Sequence, residues 1–454
     1  MPVILGALVA IAWGPALQGG LVSDDWVWLE RARTGMVLEP GQFFRPACWC
    51  TWRLQADTSA PWMHAVDLTL HWICAWLLVC TVQALGGSVG AGVAAVAVFA
   101  TLPALHEAVC WSSARCGPLS AACVLAGVVA ALTRKHAAVA ILLFVAALAT
   151  QESAVALVWG LPVLLAVRGR KTEAVRWSLV LIVLSLGYLA IVRVVGAHER
   201  LAGGYVAPFR MGRTLAHLGA YTGLAWGKER TASWWPLWPA LGIPALWVVV
   251  RSRDWIFAAI WAWGTMTMIP LIRLGGPEQP RFLYVMLIPV MAGLGLVLAR
   301  IRGPAARTIV PAAGVVLGLV LAPSARAACE EWRDAGAQIV HLISRAAQLL
   351  PADTPVIAVN PPEWHGSAHL LRNGLFSALR LTTGHGYHGV TIPPSQAVTT
   401  CGQLVAWLAQ NAPGYLADTR AVAWLFVDDG ICPLKGWQDP AVADLPLGAM
   451  CATR

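Results

Sequence analysis

The sequence predicts an α-helical polytopic membrane protein, with about eleven spanning helices followed by a small C-terminal α/β domain outside the bilayer. Three observations predict it. Of the 454 residues, 58% are hydrophobic and only 12% charged, about half the charged share of a soluble domain, so lipid is the solvent for most of the chain. Apolar runs recur at near-spanning length from residue 3 to residue 324, after which the hydropathy falls. The chain also carries 24 Trp, and the indole ring favours the membrane–water interface.

The runs lie at 3–20, 63–82, 88–104, 118–133, 137–150, 153–167, 177–195, 234–250, 255–272, 282–299 and 308–324. The first lacks a basic segment before it and a small-residue cleavage site before Asp24, so it reads as a retained helix rather than a signal peptide. The 118–167 region reads either as two spans or as four short segments. With the N-terminus in the cytoplasm, the clusters RKH (134–136), RGRK (168–171), RSRD (251–254) and RIRGPAAR (300–307) all fall in cytoplasmic loops, as the positive-inside rule requires. The net charge of +9 is thereby assigned to membrane topology, and nucleic acid is not expected as a partner. This orientation makes the C-terminal domain periplasmic, in a bacterial inner membrane.

The expected division is 1–324 for the transmembrane domain and 325–454 for the extracytoplasmic one. In the latter, PVIAVN (355–360) and VAWLFVDD (422–429) read as buried strands, with helical patterns at 367–380 and 401–410. It has no glycine-rich phosphate loop. Cys329, Cys401, Cys432 and Cys451 fall in this region and read either as two disulfides or as free buried thiols.

The acids Asp24, Asp25, Glu107, Glu152 and Glu278 all land on the outer side, each near a helix end. Ionisable groups at membrane depth are costly and usually functional, so their gathering points to a site there. Asp24-Asp25 reads as a general base, a metal ligand or, with Ser23, a helix cap. FFRPACWCTWRL (43–54) places Arg45 among aromatics, where a planar guanidinium suits a phosphate; a snorkelling anchor is the plainer account. His64, Asp67 and His71 share one helix face, either as a metal or proton relay or as a buried polar stripe. His106, Glu107 and Arg115 put acid, base and cation in one short outer segment. Glu152 opens a span where the helix dipole favours a carboxylate, and Arg281 and Tyr284 lie one turn apart at the head of another.

The order of these segments resembles the GT-C superfamily of polyprenyl-phosphate-sugar-dependent glycosyltransferases, in its protein O-mannosyltransferase-like branch. The matching residues are Asp24-Asp25 after the first span, Arg45-Pro46, His64 and His71, FATLPALHEAVCWSSAR (99–115), QESA (151–154) and RFLY (281–284). The chain differs from that branch in having Leu102, Pro103 and Leu105 where a His-Pro pair and a second His are usual, Asp67 for a usual Asn, Gly117 near an expected acid and Gln151 for a usual Lys.

The resemblance implies a GT-C-like fold and a polyprenyl-phosphate sugar donor entering from the bilayer. It implies Asp24, Asp25 and Glu107 as catalytic residues. Arg45, His64, His71, His106, Arg115, Glu152, Arg281 and Tyr284 are then the substrate-binding set. The acceptor is a hydroxyl on a protein, lipid or glycan, and a divalent cation, Mg or Mn, is compatible with the acids. Two other readings stay open: a transporter or flippase for a lipid-linked or anionic solute, and an inactive GT-C-like scaffold.

Overall fold

A computed structural model describes residues 1–35, 44–133, 136–195, 220, 255–272, 279–349, 353–371, 373–418, 420–427 and 430–451. The 234–250 run, Glu278 and the basic residues at 134–135 and 251–254 lie outside them. The chain divides into two compact units: Met1–Pro15, Met36–Thr58 and Trp62–Cys329 form the first, and Ala16–Gly35, Ser59–Pro61 and Glu330–Arg454 the second.

The first unit is helical. It contains α1 (Pro2–Trp13), α3 (Pro46–Leu54), α4 (Ala60–Ala84), α5 (Val89–Ala100), α6 (His106–Cys110), α7 (Cys116–Leu132), α8 (Ala137–Leu148), α9 (Ala154–Val158), α10 (Gly160–Val167), α11 (Lys171–Val194), α12 (Trp255–Ile272) and α13 (Leu283–Leu298). Every predicted run among the described residues falls on helix. Among the described residues, five helical stretches are long and apolar enough to cross a bilayer: Ala60–Ala84, Ser112–Leu132, Lys171–Val194, Pro280–Leu298 and Ala306–Leu349. The 88–104 run does not continue as one rod, because Val89–Ala100 and Pro103–Cys110 are bent by 63°. Pro103 cannot donate to the preceding turn, which explains the break. The ambiguous 118–167 region resolves into α7 to α10, with α7 and α8 packed on each other.

The last long helix, α14 (Ala306–Leu349), has 44 residues and crosses from the first unit into the second. At 1.5 Å per residue it is about 66 Å long, twice the hydrocarbon thickness. The hydropathy drop at Ala325 therefore marks where this helix becomes polar, not where it ends. Its apolar half packs closely on α5: a Cβ at Gly314 would stand 2.2 Å from the Ala94 Cα, so only glycine fits.

The second unit is a small α/β domain. Its sheet runs β4 (His388–Ile392), β1 (Pro355–Val359), β5 (Val422–Val427), β6 (Gly430–Pro433), with β1 parallel to both neighbours and β6 antiparallel to β5. All five β1 residues are buried, as an uninterrupted apolar run in a parallel strand should be. Helix Cys401–Asn411 covers it and starts on a Thr400/Gln403 capping box, close to the predicted bounds. The helix expected over 367–380 begins only at Leu375, because residues 364–369 first form the short β2–β3 pair. Cys432–Cys451 is a disulfide, while Cys329 and Cys401 are free and buried, so each of the two expected outcomes holds for half of these cysteines.

This unit also takes in an N-terminal helix, α2 (Asp24–Thr34), which packs on helix Leu375–Thr383. Arg380 grips both Glu30 carboxylate oxygens. Burial alone would raise the Glu30 carboxyl, but hydrogen bonds from Arg380 and Ser377 outweigh it and hold the group below its ordinary value.

Candidate active site

In the first unit, three ion pairs lie near helix ends that the sequence assigns to one side of the bilayer. Arg45 precedes α3 and its guanidinium forks onto Glu152, with Nε 3.1 Å from Oε1 and Nη2 2.8 Å from Oε2. Pro46 at the first helical position fixes where α3 begins, and the Ala47 amide donates to the Ala149 carbonyl, which draws α3 to the residues preceding Glu152. A disulfide, Cys48–Cys116, ties α3 to the start of α7, immediately after Arg115. Sequence reading missed this bridge.

Arg115 itself is wholly buried. Its Nε lies 2.9 Å from Asp67 Oδ1, its other nitrogens donate to Gln55 and to the Met63 carbonyl, and its plane lies over the Trp52 ring at 4.8 Å. Ser112 Oγ donates to Asp67 Oδ2 at 2.6 Å. From Ser112 the chain leads back one residue to Trp111, whose ring carries the Arg281 guanidinium at 4.9 Å. Arg281 closes the series on Glu107, with Nη1 2.6 Å from Oε1 and its own amide 3.1 Å from Oε2.

The histidine stripe divides. His71 is buried and its Nδ1 lies 2.9 Å from the Tyr284 hydroxyl, with Nε2 3.2 Å from the Ala100 carbonyl. Asp67 turns instead to Arg115, and His64 stays 3.9 Å from it. The three do not converge, and among the described residues no three His, Cys, Asp or Glu side chains are placed to hold a metal ion. Tyr284 is fully buried against His71, so it is separated from Arg281 rather than paired with it at a rim. His106 opens α6 and is partly exposed.

In the second unit, Asp24 and Asp25 open α2, where the helix dipole favours carboxylates. The capping account fails for Ser23: its hydroxyl makes no cap bond and is buried without a hydrogen-bond partner among the described residues. Ser23 holds a φ of 47°, a conformation that costs a non-glycine residue about 1–3 kcal/mol and persists only where surroundings enforce it. The enforcement comes from Leu370 and Gly374. The Ser23 amide donates to the Leu370 carbonyl at 2.7 Å, and a Cβ at Gly374 would stand 2.0 Å from the Ser23 carbonyl oxygen. Asp25 is completely buried and its Oδ2 accepts the Val22 amide. Asp24 is partly exposed, and the Asn373 side-chain amide donates to its Oδ1 at 2.7 Å. Asn373 carried no signal in the sequence, since it lies 349 residues away.

No known family's sequence profile matches the chain, and no curated protein matches it. Solved structures do. ArnT from Cupriavidus metallidurans, bound to undecaprenyl phosphate, superposes with a TM-score of 0.57 at 12% identity, covering 93% of this chain and 92% of that one. The apo form of the same ArnT gives 0.53 at 13%, with the same coverage. An identity this low speaks to architecture alone, and the architecture extends over nearly the whole length: this integral membrane protein has the ArnT-like GT-C fold.

Proposed function

We propose that the protein is a membrane glycosyltransferase that moves a sugar from a polyprenyl phosphate to an acceptor hydroxyl on the outer face, with inversion. The observation that carries this reading is the state of Arg45 and Arg281. Both guanidinium groups are partly exposed, at 19% and 25% of the side chain, and both are held flat by a carboxylate. Arg281 is stacked besides on Trp111 and Phe282. At Arg281 a fork fixed in this way keeps further N–H groups for phosphate oxygens and loses little freedom on binding them. The undecaprenyl phosphate bound to ArnT, which shares the fold, supports the same class of donor. The order of motifs favours the O-mannosyltransferase-like branch.

Asp24 is the base in this reading. Asn373 occupies Oδ1, which leaves Oδ2 to take the proton from the acceptor hydroxyl as its oxygen attacks the anomeric carbon. The bond from that carbon to the phosphate oxygen breaks, and Arg45 and Arg281 stabilise the departing charge. Asp25, buried against the Val22 amide, holds the turn that presents Asp24. Arg115 and Asp67 are scaffold. A divalent cation would fall to Asp24, because Asp25 is buried on the Val22 amide and Asp67, Glu107 and Glu152 already face guanidinium groups. The disulfides Cys48–Cys116 and Cys432–Cys451 support an oxidising, periplasmic location for their segments.

The test is transfer from radiolabelled polyprenyl-phosphate sugars in membranes containing the wild type or Asp24→Asn. Loss of a base lowers transfer by about 10²–10⁴-fold. Equal transfer in both would remove Asp24 from the mechanism. No donor-dependent transfer from mannose, glucose or aminoarabinose donors would favour the transporter or scaffold reading instead.

A further inference from the structure

A second cationic site lies at the opposite ends of the same helices. From the His64–Asp67 turn, α4 runs on to Ala84, and its 25 residues span about 37 Å. From the Arg281 end, α13 runs to Leu298, about 24 Å. Where these helices finish, beside the end of α10 and the start of α12, an open cavity of about 760 Å³ is lined by Arg168, Arg300 and Arg302 with Trp255 and Leu296. That volume falls within the range of ligand pockets, roughly 300–1,000 Å³.

The arginines here differ from those at the candidate active site. Among the described residues no carboxylate lies within ion-pair reach of Arg168 or Arg302. Arg168 is tethered by donating to the Ala84 carbonyl, and Arg300 lies over the Phe257 ring at 4.7 Å. Donation to a carbonyl fixes Arg168 without cancelling its charge. The neighbouring surface is apolar and exposed: Trp255 at 59%, Val297 at 50% and Ile301 at 54%. A soluble anion has no use for such a border, whereas an acyl chain would cover it.

We infer that this cavity binds the phosphate head group of an anionic membrane lipid, with Arg168, Arg300 and Arg302 on the phosphate and the acyl chains lying along Val297 and Trp255. Basic pockets between helix ends serve such head groups in membrane proteins generally. The site is separate from the proposed sugar-transfer site and does not rest on it.

Native mass spectrometry of the intact protein, incubated with dioleoyl phosphatidylglycerol or the zwitterionic phosphatidylcholine, tests the inference. The expected result is selective retention of phosphatidylglycerol, weakened roughly five- to tenfold for each arginine removed in Arg302→Gln and Arg300→Gln/Arg302→Gln. Ala299→Phe keeps every charge but fills the cavity, and should abolish retention even if the double variant does not fold. Millimolar inorganic phosphate or glycerol phosphate should not displace the lipid. Equal retention of both lipids, or retention unchanged in Arg302→Gln and Ala299→Phe, would overturn the site. Displacement by glycerol phosphate at micromolar concentration would overturn the lipid as its ligand and assign a soluble phosphate ester.

Discussion

Arg115 and Arg281 each face a buried carboxylate and each lie over a tryptophan ring in the same helical unit, yet they differ in how much of the cation is open. Arg115 is sealed, with Asp67, Gln55, Met63 and Trp52 taking up its fork, while a quarter of the Arg281 side chain is open. A buried pair adds little to stability over an apolar replacement, but removing one member strands the other charge. Arg281 leaves its charge open to a ligand although Glu107 is buried, at 3%, whereas the Arg45–Glu152 rim pair, open on both sides at 19% and 23%, contributes little to stability. The sequence presents both as arginines near outer helix ends. Burial is what sorts scaffold from candidate substrate contact.

Three of the differences from the resembled family, at 67, 117 and 151, fall around the sealed pair. The acid expected near position 117 is absent, and Asp67, standing where that family has Asn, provides the carboxylate for Arg115 instead. The usual Lys is Gln151, and a Cβ on Gly117 would lie 3.5 Å from its Oε1. A lysine at 151 beside Gly117 would be a buried cation lacking that acid. Glutamine avoids it.

The contrast between sealed and rim pairs can be broken experimentally. Asp67→Ala should cost about 3–5 kcal/mol of stability by stranding Arg115, read as a lower thermal midpoint in detergent and lost accumulation. Asp67→Asn with Gly117→Asp should recover part of that loss if the acid can serve from either position. Arg45→Gln, whose partner Glu152 is itself 23% exposed, should lower sugar transfer by about 10²–10³-fold while shifting stability by no more than about 1 kcal/mol. A matching loss of stability there would make Arg45 scaffold as well. The smallest effect concerns the second unit. The folded-state value of Glu30 is depressed, so the stability it contributes is present above its unfolded value near 4.5 and is lost as pH falls through the folded one. At half-buried Glu30 that amounts to at most about 1 kcal/mol, and Glu30→Gln should flatten the acid limb of the unfolding profile below pH 4.5.

Much of the fold was legible because lipid imposes a length on every apolar run, and the described runs are helical throughout. The strands at 355 and 422 were legible from uninterrupted apolar runs. What hydropathy could not convey was pairing across distance. Glu152 and Arg45 are 107 residues apart, Glu107 and Arg281 174, and Cys48 and Cys116 68, and none of these separations leaves a period to read. The association of α2 with the C-terminal unit was equally hidden. Its residues look like an interfacial loop, and only the Glu30–Arg380 fork and the packing on Leu375–Thr383 show where they belong.

The approach of Gly374 to the Ser23 carbonyl offers a different kind of control from any side-chain deletion. Alanine at 374 would leave Asp24, Asp25 and Asn373 chemically intact, yet its methyl group cannot occupy the 2.0 Å available without pushing the Ser23–Asp24 turn aside. One added carbon would thus displace the carboxylates while preserving their number and charge. Compared with Asp24→Asn, it separates what the groups are from where they stand.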